Sequence, residues 1–300
     1  MQNEFKCVKP LLKWVGGKTQ LLNEVLSKFP TRINDYHEIF IGGGSVLFGL
    51  LSLHEQGHIM LESVYAYDLN ENLINFYKQV QDNPTALFKV VARLKTEYAA
   101  QDNGKRSMCN PKELDEVNSK ESYYYLIRHK FNTDTNNDIE RAGQFIFLNK
   151  TCFRGLYREG PKGFNVPYGH YKKTPDILNE KDLLIVHSLI QKVCFKVADF
   201  RISLDGAKDE NDFVYLDPPY MPENDNSFVA YTKNGFNRES HTELFSAVKN
   251  LNCKFLMSNS NSESVKNAFN DFGIQQITAK RAINPKKPNS TTTEVLVFPK

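Results

Sequence analysis

Phe213-Val214-Tyr215-Leu216-Asp217-Pro218-Pro219-Tyr220 is the stretch of sequence that decides the fold and the place of the chemistry. Its apolar half, Phe213–Leu216, predicts a short buried strand. Asp217 follows at the carboxyl end of this strand, where open α/β sheets with parallel strands build their binding sites. The stretch therefore predicts an α/β fold with functional residues at one edge of its sheet.

The second half of this stretch, the D-P-P-Y tetrapeptide, combines hydrogen-bond acceptors with an aromatic ring. Pro218 and Pro219 fix the backbone and remove two N–H donors, so the preceding carbonyl oxygens are left as unpaired acceptors. Asp217 adds a carboxylate, and such a set of acceptors suits an amino group. Tyr220 supplies a face on which a planar base can stack, a contact of about 1–3 kcal/mol. The alternative is a turn that ends a strand and carries a surface aspartate.

A glycine-rich loop follows another predicted strand, in Glu38-Ile39-Phe40-Ile41-Gly42-Gly43-Gly44-Ser45. Glycines let a ligand approach the backbone, and the start of the next helix supplies free N–H donors. The next strand, Val64–Asp68, ends in an acid, which is where nucleoside-binding βαβ units grip a ribose diol. Many glycine loops are only tight turns, but Asp68 in this position favours ligand binding.

Two shorter strings point to the same kind of site. Lys13–Lys18 reads K-W-V-G-G-K and combines an aromatic ring, two glycines and two cations, although an isolated hexamer of this kind is also typical of a surface turn. Val197–Phe200 ends a further predicted strand in an acid followed by an aromatic residue. Asp199 and Phe200 could accept a hydrogen bond from an exocyclic amine and pack against its ring.

Short β-like runs alternate with helical patterns along the chain, which is typical of an α/β fold with a largely parallel sheet. The predicted strands are His37–Ile41, Val64–Asp68, Lys192–Ala198, Phe213–Leu216, Lys254–Ser258, Gln276–Lys280 and Thr293–Phe298. The predicted helices are Gln20–Phe29, Ser45–Leu53, Asn72–Gln81, Pro84–Ala100, Lys120–Phe131, Ile139–Leu148, Asp182–Ser188, Arg238–Asn250 and Ser262–Phe272. No β-like run occurs between about residues 70 and 145, so we expect one α/β domain, residues 1–69 and 175–300, interrupted by a mostly helical insertion, residues 70–174.

The composition excludes several classes of protein. With 40% hydrophobic and 24% charged residues, the 300-residue chain is typical of globular proteins. Its five cysteines are scattered without a C-x-x-C pair, so neither a disulfide framework nor a metal site is expected, and a reducing cytoplasm fits best. No signal peptide or 18-residue apolar run is present, which argues against secretion and against a membrane partner.

Charge is concentrated locally although the formal net charge is only +3. Between Lys150 and Lys173 there are six basic residues and one acid, Glu159. Such a patch on a nearly neutral chain is typical of a face that binds a polyanion. The alternative is a solvated loop with no partner.

Five groups of residues occur in a diagnostic order: L-L-K-W-V-G-G-K, F-I-G-G-G-S, Y-D-L-N, R-G-L-Y-R followed by F-N-V-P-Y-G, and D-P-P-Y. This set resembles the Dam-like, alpha-group family of adenine-N6 DNA methyltransferases from about residue 10 to the C-terminal E-V-L-V strand. The resemblance implies a Rossmann-like methyltransferase sheet with helices on both faces. It also implies that residues 70–174 form a target-recognition domain with a DNA-binding hairpin.

The resemblance implies a role for each matching residue. The catalytic residues would be Asp217, Pro218, Pro219 and Tyr220. The residues that bind the cofactor, S-adenosylmethionine, would be Trp14, Lys18, Phe40, Gly42, Gly43, Gly44, Ser45, Asp68, Asp199, Phe200 and Asp217. The residues that bind double-stranded DNA would be Lys13, Phe153, Arg154, Leu156, Arg158, Asn165, Pro167 and Tyr171. Two departures are a residue missing between Arg158 and Phe164, which affects base preference, and Ile39, where the family commonly has proline.

The implied reaction is transfer of a methyl group to adenine N6 in duplex DNA, after the base leaves the helix, at GATC or a site containing GAT. A restriction-modification system is the implied setting. In this reaction Asp217 and the Pro218 carbonyl accept both N6 protons, so that the nitrogen lone pair turns toward the methyl group and no metal is needed. The alternatives are a methyltransferase for RNA or protein glutamine, and a silent DNA-binding module. The oligomeric state does not follow from the sequence.

Overall fold

A mostly parallel sheet of seven strands lies at the centre of the protein. The computed structural model describes residues 7–102, 110–134, 137–221, 236–280 and 291–300. The strands of the sheet are β1 (Arg32–Glu38), β2 (Met60–Asp68), β5 (Val193–Val197), β6 (Phe213–Leu216), β7 (Lys254–Ser260), β8 (Gly273–Lys280) and β9 (Thr291–Phe298). Their order is β5-β2-β1-β6-β7-β9-β8, and β9 runs antiparallel to both of its neighbours. The predicted α/β fold class is therefore confirmed.

Most of the helices begin where the sequence offers a capping side chain. Their ranges are α1 (Leu22–Leu26), α2 (Ser45–Glu55), α3 (Glu71–Asp82), α4 (Pro84–Ala99), α5 (Lys120–Thr133), α6 (Asp138–Thr151), α7 (Glu180–Leu189), α8 (Phe200–Ser203), α9 (Arg238–Lys249) and α10 (Glu263–Ala268). Asn70, Asn137, Asn179 and Asn237 each accept a backbone N–H in the first turn of the helix that follows. Such caps satisfy donors that the helix itself leaves unpaired, and each stabilises the fold by about 1 kcal/mol.

Both faces of the sheet are covered by helices. Along β6, Phe213 and Tyr215 belong to one buried cluster, while Val214 and Leu216 belong to another. Since neighbouring side chains of a strand point to opposite faces, the two clusters mark the two faces. The first cluster includes residues of α1–α7 and the second includes residues of α8–α10.

The helical insertion shares a continuous core with one face of the sheet. The cluster that contains Tyr215 also contains buried residues of α4, α5 and α6. A short hairpin, β3 (Glu159–Gly160) and β4 (Gly163–Phe164), packs against α5. Asn132 of α5 exchanges two hydrogen bonds with the backbone of Phe164, at 2.8 and 2.9 Å. The boundaries at residues 69 and 175 remain predictions.

The order of the strands reverses between β1 and β6, and this places three motifs at one edge. After β1, the amide of Ile39 donates to Tyr215 of β6, whereas the amide of Ile41 donates to Tyr67 of β2. The chain therefore opens the crevice between these strands in which α/β sheets bind ligands. The glycine loop after β1, Asp68 at the end of β2 and the tetrapeptide after β6 all meet there.

The seven strands predicted from the sequence are confirmed, β6 with the predicted bounds and the others with at least one shifted end. The largest shift is in β1, which begins at Arg32 rather than His37, because parallel pairing with β2 continues through the polar residues Asn34 and Asp35. The first predicted helix is shortened to Leu22–Leu26, and the last is shortened to Glu263–Ala268. No helix in the described ranges is long and apolar enough to cross a membrane.

Candidate active site

A buried ion pair joins the N-terminal motif to the D-P-P-Y tetrapeptide. Lys18 is only 4% exposed, and its Nζ donates to Asp217 Oδ2 at 2.7 Å and to the Gly16 carbonyl at 2.8 Å. Burial raises the pKa of Asp217, while the neighbouring Lys18 ammonium acts in the opposite direction. The second oxygen of Asp217, Oδ1, is buried without a hydrogen-bond partner in the described part of the chain. One acceptor is therefore used by Lys18 and the other is free.

Glu294, on β9, completes this cluster from the antiparallel end of the sheet. Its Oε2 accepts a hydrogen bond of 2.6 Å from the Tyr220 hydroxyl and lies 4.0 Å from Lys18 Nζ. The Lys18 ammonium also lies 5.0 Å from the centre of the Tyr220 ring. The tyrosine ring is thus fixed at its hydroxyl end and placed beside Asp217.

The backbone of the tetrapeptide is held from two further elements. His241 Nε2, on α9, lies 2.9 Å from the Pro219 carbonyl oxygen. At the end of β7, Asn259 Oδ1 accepts from the Met221 amide at 3.2 Å, and the Ser260 hydroxyl donates to the Met221 carbonyl at 2.8 Å. None of these bonds uses the Pro218 carbonyl.

The glycine loop is tied to the next strand by Asp68. Asp68 Oδ2 accepts from the Gly42 amide at 3.1 Å, and its Oδ1 accepts from the Asn70 amide at 3.0 Å. Burial raises the pKa of Asp68, although these backbone donors act against that shift. Gly42 and Gly44 have φ values of +48° and +74°, a region that favours glycine. The loop therefore places a backbone without side chains next to a carboxylate.

Trp14 covers one side of this loop. A Cβ atom on Gly42 or Gly43 would lie 2.8 Å from Trp14 atoms, so no larger residue fits without displacing the ring. Trp14 also stacks on Tyr157, with ring centroids 5.7 Å apart and planes 26° apart. Tyr157 lies in the segment that leads to the hairpin, so the cofactor motif and the predicted DNA-reading motif are in contact.

Asp199 and Phe200 lie at the carboxyl end of β5, on the far side of Asp68. Phe200 is buried, and its ring lies 6.4 Å from that of Phe40. Asp199 Oδ1 caps α8 and accepts from the Arg201 guanidinium at 2.9 Å. Leu69, the residue after Asp68, is an apolar residue with 51% exposure. An apolar surface with a carboxylate at its rim suits a planar ring that carries an amino group.

Glu38 is a buried carboxyl group beneath the site. It ends β1 and accepts a hydrogen bond of 2.7 Å from the Tyr36 hydroxyl. Burial raises its pKa from 4.5 to about 8, and the charge of Asp217 adds to this shift. Glu38 is therefore protonated at neutral pH.

The predicted DNA-binding residues form a separate, exposed group around the hairpin. Arg158 Nε donates to Asn165 Oδ1 at 2.6 Å, which joins two of them across the hairpin. Phe153 is 42% exposed, and its amide donates to the Pro167 carbonyl at 2.8 Å. Arg154 follows it in the left-handed conformation, with φ of +58°.

Lys13 connects this exposed group to the site at the sheet edge. Its backbone amide donates to Asn149 Oδ1 at 2.9 Å, and its carbonyl accepts from Asn149 Nδ2 at 2.7 Å. Its Nζ lies 5.1 Å from the centre of the Tyr171 ring. Leu156 is half-buried and packs against the core of the insertion. Lys13 and Trp14 are adjacent in sequence. Lys13 thus lies beside the predicted DNA-binding residue Tyr171, whereas Trp14 contacts the glycine loop.

Several residues of this site carry no role in the sequence analysis: His241, Glu294, Asn259, Tyr157 and Glu38. Glu294 lies within the E-V-L-V string, where an acid in an apolar strand is a visible signal. The other contacts join distant parts of the chain, and their residue types are common. The described residues include no cluster of histidine, cysteine, aspartate and glutamate that could hold a metal ion.

Comparison with known proteins assigns the chain to a family. Residues 14–283 match the family model described as D12 class N6 adenine-specific DNA methyltransferase. The chain belongs to this family. The predicted family and enzyme class, an adenine-specific DNA methyltransferase, are confirmed.

Three curated relatives of this methyltransferase are similar over almost their whole length. A type II methyltransferase of Methanocaldococcus jannaschii is 38% identical over 93% of this chain and 94% of that protein. A type II methyltransferase of Lactococcus lactis is 32% identical over 97% of this chain and 95% of its own. The DNA adenine methylase of Haemophilus influenzae is 28% identical over 97% of this chain and 93% of its own.

The contact between Trp14 and the glycine loop of this methyltransferase predicts a measurable difference between two glycines. Gly42→Ala and Gly57→Ala both place a side chain at positive φ, at +48° and +75°, but only Gly42 faces Trp14. We expect Gly57→Ala to cost about 1–2 kcal/mol of backbone strain and Gly42→Ala about 1–3 kcal/mol more, because the ring must move. Trp14 is the one tryptophan of the chain, so its fluorescence reports that movement. Equal unfolding free energies and identical emission spectra would contradict this contact.

The buried Glu38 predicts a pH dependence of stability. Between pH 4.5 and about 8 the folded protein keeps a proton on Glu38 that the unfolded chain has lost. The contribution of Glu38 to the free energy of unfolding therefore falls as pH rises through this range. We expect Glu38→Gln, which has no charge to desolvate, to gain stability relative to wild type as pH rises. Urea unfolding of both proteins across this range measures the difference, and a constant difference would show that Glu38 is ionised.

Proposed function

We propose that this protein transfers the methyl group of S-adenosylmethionine to N6 of adenine in duplex DNA. The observation that carries the proposal is the Asp217 carboxylate, which Lys18 fixes through Oδ2 and whose buried Oδ1 has no partner among the residues that the structure describes. An unpaired buried acceptor costs free energy unless a ligand completes it. The N6 amino group has two donors, and Asp217 Oδ1 with the Pro218 carbonyl can accept both.

The residues around the glycine loop fit the cofactor. The Gly42–Gly44 loop carries no side chains of its own, and beside it Asp68 offers carboxylate oxygens to ribose hydroxyls. Phe200 and Phe40 supply an apolar surface for the adenine ring, and Asp199 supplies an acceptor at its edge. When bound, S-adenosylmethionine supplies an electrophilic methyl group on a sulfonium ion.

The tetrapeptide prepares the amino group for attack. Adenine N6 is a weak nucleophile because its lone pair is delocalised into the ring. When both N6–H groups donate hydrogen bonds, one to Asp217 and one to the Pro218 carbonyl, the lone pair becomes localised on N6 and points at the methyl carbon. Lys18 favours the ionised form of Asp217 against the effect of burial, and its hydrogen bond fixes the carboxylate. The new N–C bond forms as the C–S bond breaks, and N6 then loses a proton through Asp217 or water.

The target base must leave the DNA helix to reach this buried carboxylate. Extrusion of a base costs a few kcal/mol, and stacking on the Tyr220 ring offsets part of that cost. Glu294 holds the Tyr220 hydroxyl, so the ring is ready to receive the base. The exposed Phe153 on the hairpin side is suited to fill the space that the base leaves.

Sequence recognition is assigned to the exposed hairpin, and the proposed site is GATC or a sequence containing GAT. Arginine can donate two hydrogen bonds to the major-groove edge of guanine. Arg158 is exposed and is oriented by Asn165, which suits base reading.

The relatives named type II methyltransferases support a place in a restriction-modification system. Incubation with labelled cofactor and duplex DNA, RNA or protein distinguishes this function from the other methyltransferase activities.

The proposed role of Asp217 predicts a selective loss of catalysis. We expect Asp217→Ala to lower single-turnover methyl transfer by about two orders of magnitude or more, because a positioned acceptor is lost. Cofactor and DNA affinity should fall less than the rate does, and thermal unfolding reports the cost of leaving Lys18 without its partner. Asp205→Ala, at an exposed position, is the control. Transfer of tritium from labelled cofactor to duplex DNA measures the rates, and an Asp217→Ala rate within threefold of wild type would refute the assignment.

The proposed role of Arg158 predicts a change in base preference. Duplexes that carry each base in turn at every site position are compared for wild type, Arg158→Ala and Lys162→Ala, an exposed residue at the hairpin tip. We expect Arg158→Ala to lose about 1–3 kcal/mol of discrimination at one guanine, and Lys162→Ala to weaken all sequences alike. Uniform weakening by Arg158→Ala, with a shallower salt dependence, would mean that Arg158 contacts only phosphate.

A further inference from the structure

His241 is a buried histidine that faces the tetrapeptide from α9. It is 1% exposed, and each ring nitrogen lies 2.9 Å from a backbone carbonyl oxygen. Nδ1 faces the Asn237 carbonyl one turn earlier in the same helix, whereas Nε2 faces the Pro219 carbonyl. A carbonyl can only accept, and a neutral imidazole carries a single N–H, so only one of the two contacts is then a hydrogen bond; we assign the proton to Nε2, which donates to Pro219. Helix α9 therefore contacts the D-P-P-Y tetrapeptide through one hydrogen-bond donor, His241 Nε2.

The hydrogen bond to Pro219 restricts a backbone angle, ψ, that the proline rings leave free. The rings of Pro218 and Pro219 fix φ at both residues but leave ψ free. The direction of a carbonyl depends on ψ, so the donor on Pro219 fixes ψ of that residue. Asp217 is fixed before it by Lys18, and Met221 is fixed after it by Asn259. With both ends and Pro219 held, the direction of the Pro218 carbonyl is determined as well.

Aromatic rings hold the imidazole in place. The Phe236 ring meets it edge-on at 4.6 Å, and the Phe245 ring lies 6.0 Å away. Phe236 also contacts Phe40 and Phe200, which form the apolar surface assigned to the cofactor. His241 therefore cannot turn without disturbing its neighbours, and it joins the tetrapeptide to the cofactor side of the site.

We propose that His241 is a positioning residue for methyl transfer, which rests on the proposed function above. Its Nε2–H donates to the Pro219 carbonyl and thereby aims the Pro218 carbonyl at the N6 amino group. His241 itself does not touch the substrate. Its loss is expected to affect the rate of the chemical step rather than the binding of cofactor or DNA.

Two amide substitutions separate this role from simple packing. The side-chain nitrogen of glutamine can lie near the position of histidine Nε2, whereas that of asparagine can lie near Nδ1. His241→Gln can therefore donate to Pro219, and His241→Asn can donate only to Asn237. Both introduce a buried amide, so thermal unfolding of the two variants reports the cost of altered packing. Thr242→Ala, at the exposed neighbouring position, is the control.

We expect His241→Asn to lower single-turnover methyl transfer by about tenfold to hundredfold, the usual effect of losing a group that orients a functional residue. His241→Gln should remain within about threefold of wild type, and KM for cofactor and DNA should be unchanged in both. Equal rates in the two variants, or an unchanged rate in His241→Asn, would overturn the proposal.

A second measurement does not depend on activity. The chain has two Pro-Tyr peptide bonds, Pro167–Tyr168 and Pro219–Tyr220. Labelling proline carbonyl carbons with ¹³C and tyrosine amides with ¹⁵N therefore gives two selective NMR signals. We expect His241→Asn to shift only the Pro219–Tyr220 signal and His241→Gln to restore it. Unshifted signals would refute the contact, whereas absence of methyl transfer by wild type would refute the proposed function alone.

Discussion

The buried ion pair between Lys18 and Asp217 is the interaction on which the rest of the site depends. Charges removed from water are stable only when they are paired, and loss of one partner typically costs about 3–5 kcal/mol. Lys18 enters from the N-terminal segment, Asp217 ends β6, and Glu294 approaches from β9. The cluster of these three residues therefore forms only when the N-terminal segment, the parallel strands and the antiparallel edge are all assembled.

A second constraint is the stiffness of the catalytic loop. The prolines limit its backbone, donors from α9 and β7 hold the Pro219 and Met221 carbonyls, and Asn259 of β7 accepts from the Met221 amide. The site thus follows a general rule for catalysis, in which groups that do not react hold those that do. Trp14 extends this rigidity from the glycine loop to Tyr157, beside the hairpin. The glycine loop and the segment that leads to the hairpin are consequently packed against the same side chain, Trp14.

Much of the fold could be predicted because its signals are local. The apolar run Phe213–Leu216 is a strand with the predicted bounds, since a strand buried on both faces needs apolar residues throughout. β1 was predicted five residues short at its start, because Asn34 and Asp35 conceal a strand whose pairing comes from its neighbour. The separate helix α8 was not predicted at all, because four residues carry no periodicity.

The sequence by itself determined the fold class, the family and the residues of the motifs, because glycines, prolines and strand-ending acids act through local geometry. Only the tertiary structure decided which side chains support them. His241, Glu294 and Asn259 lie 22, 74 and 38 residues from their partners in the tetrapeptide and the residue after it. Such bonds depend on the order of strands in the sheet, and no pattern along the chain records which distant donor will face which acceptor.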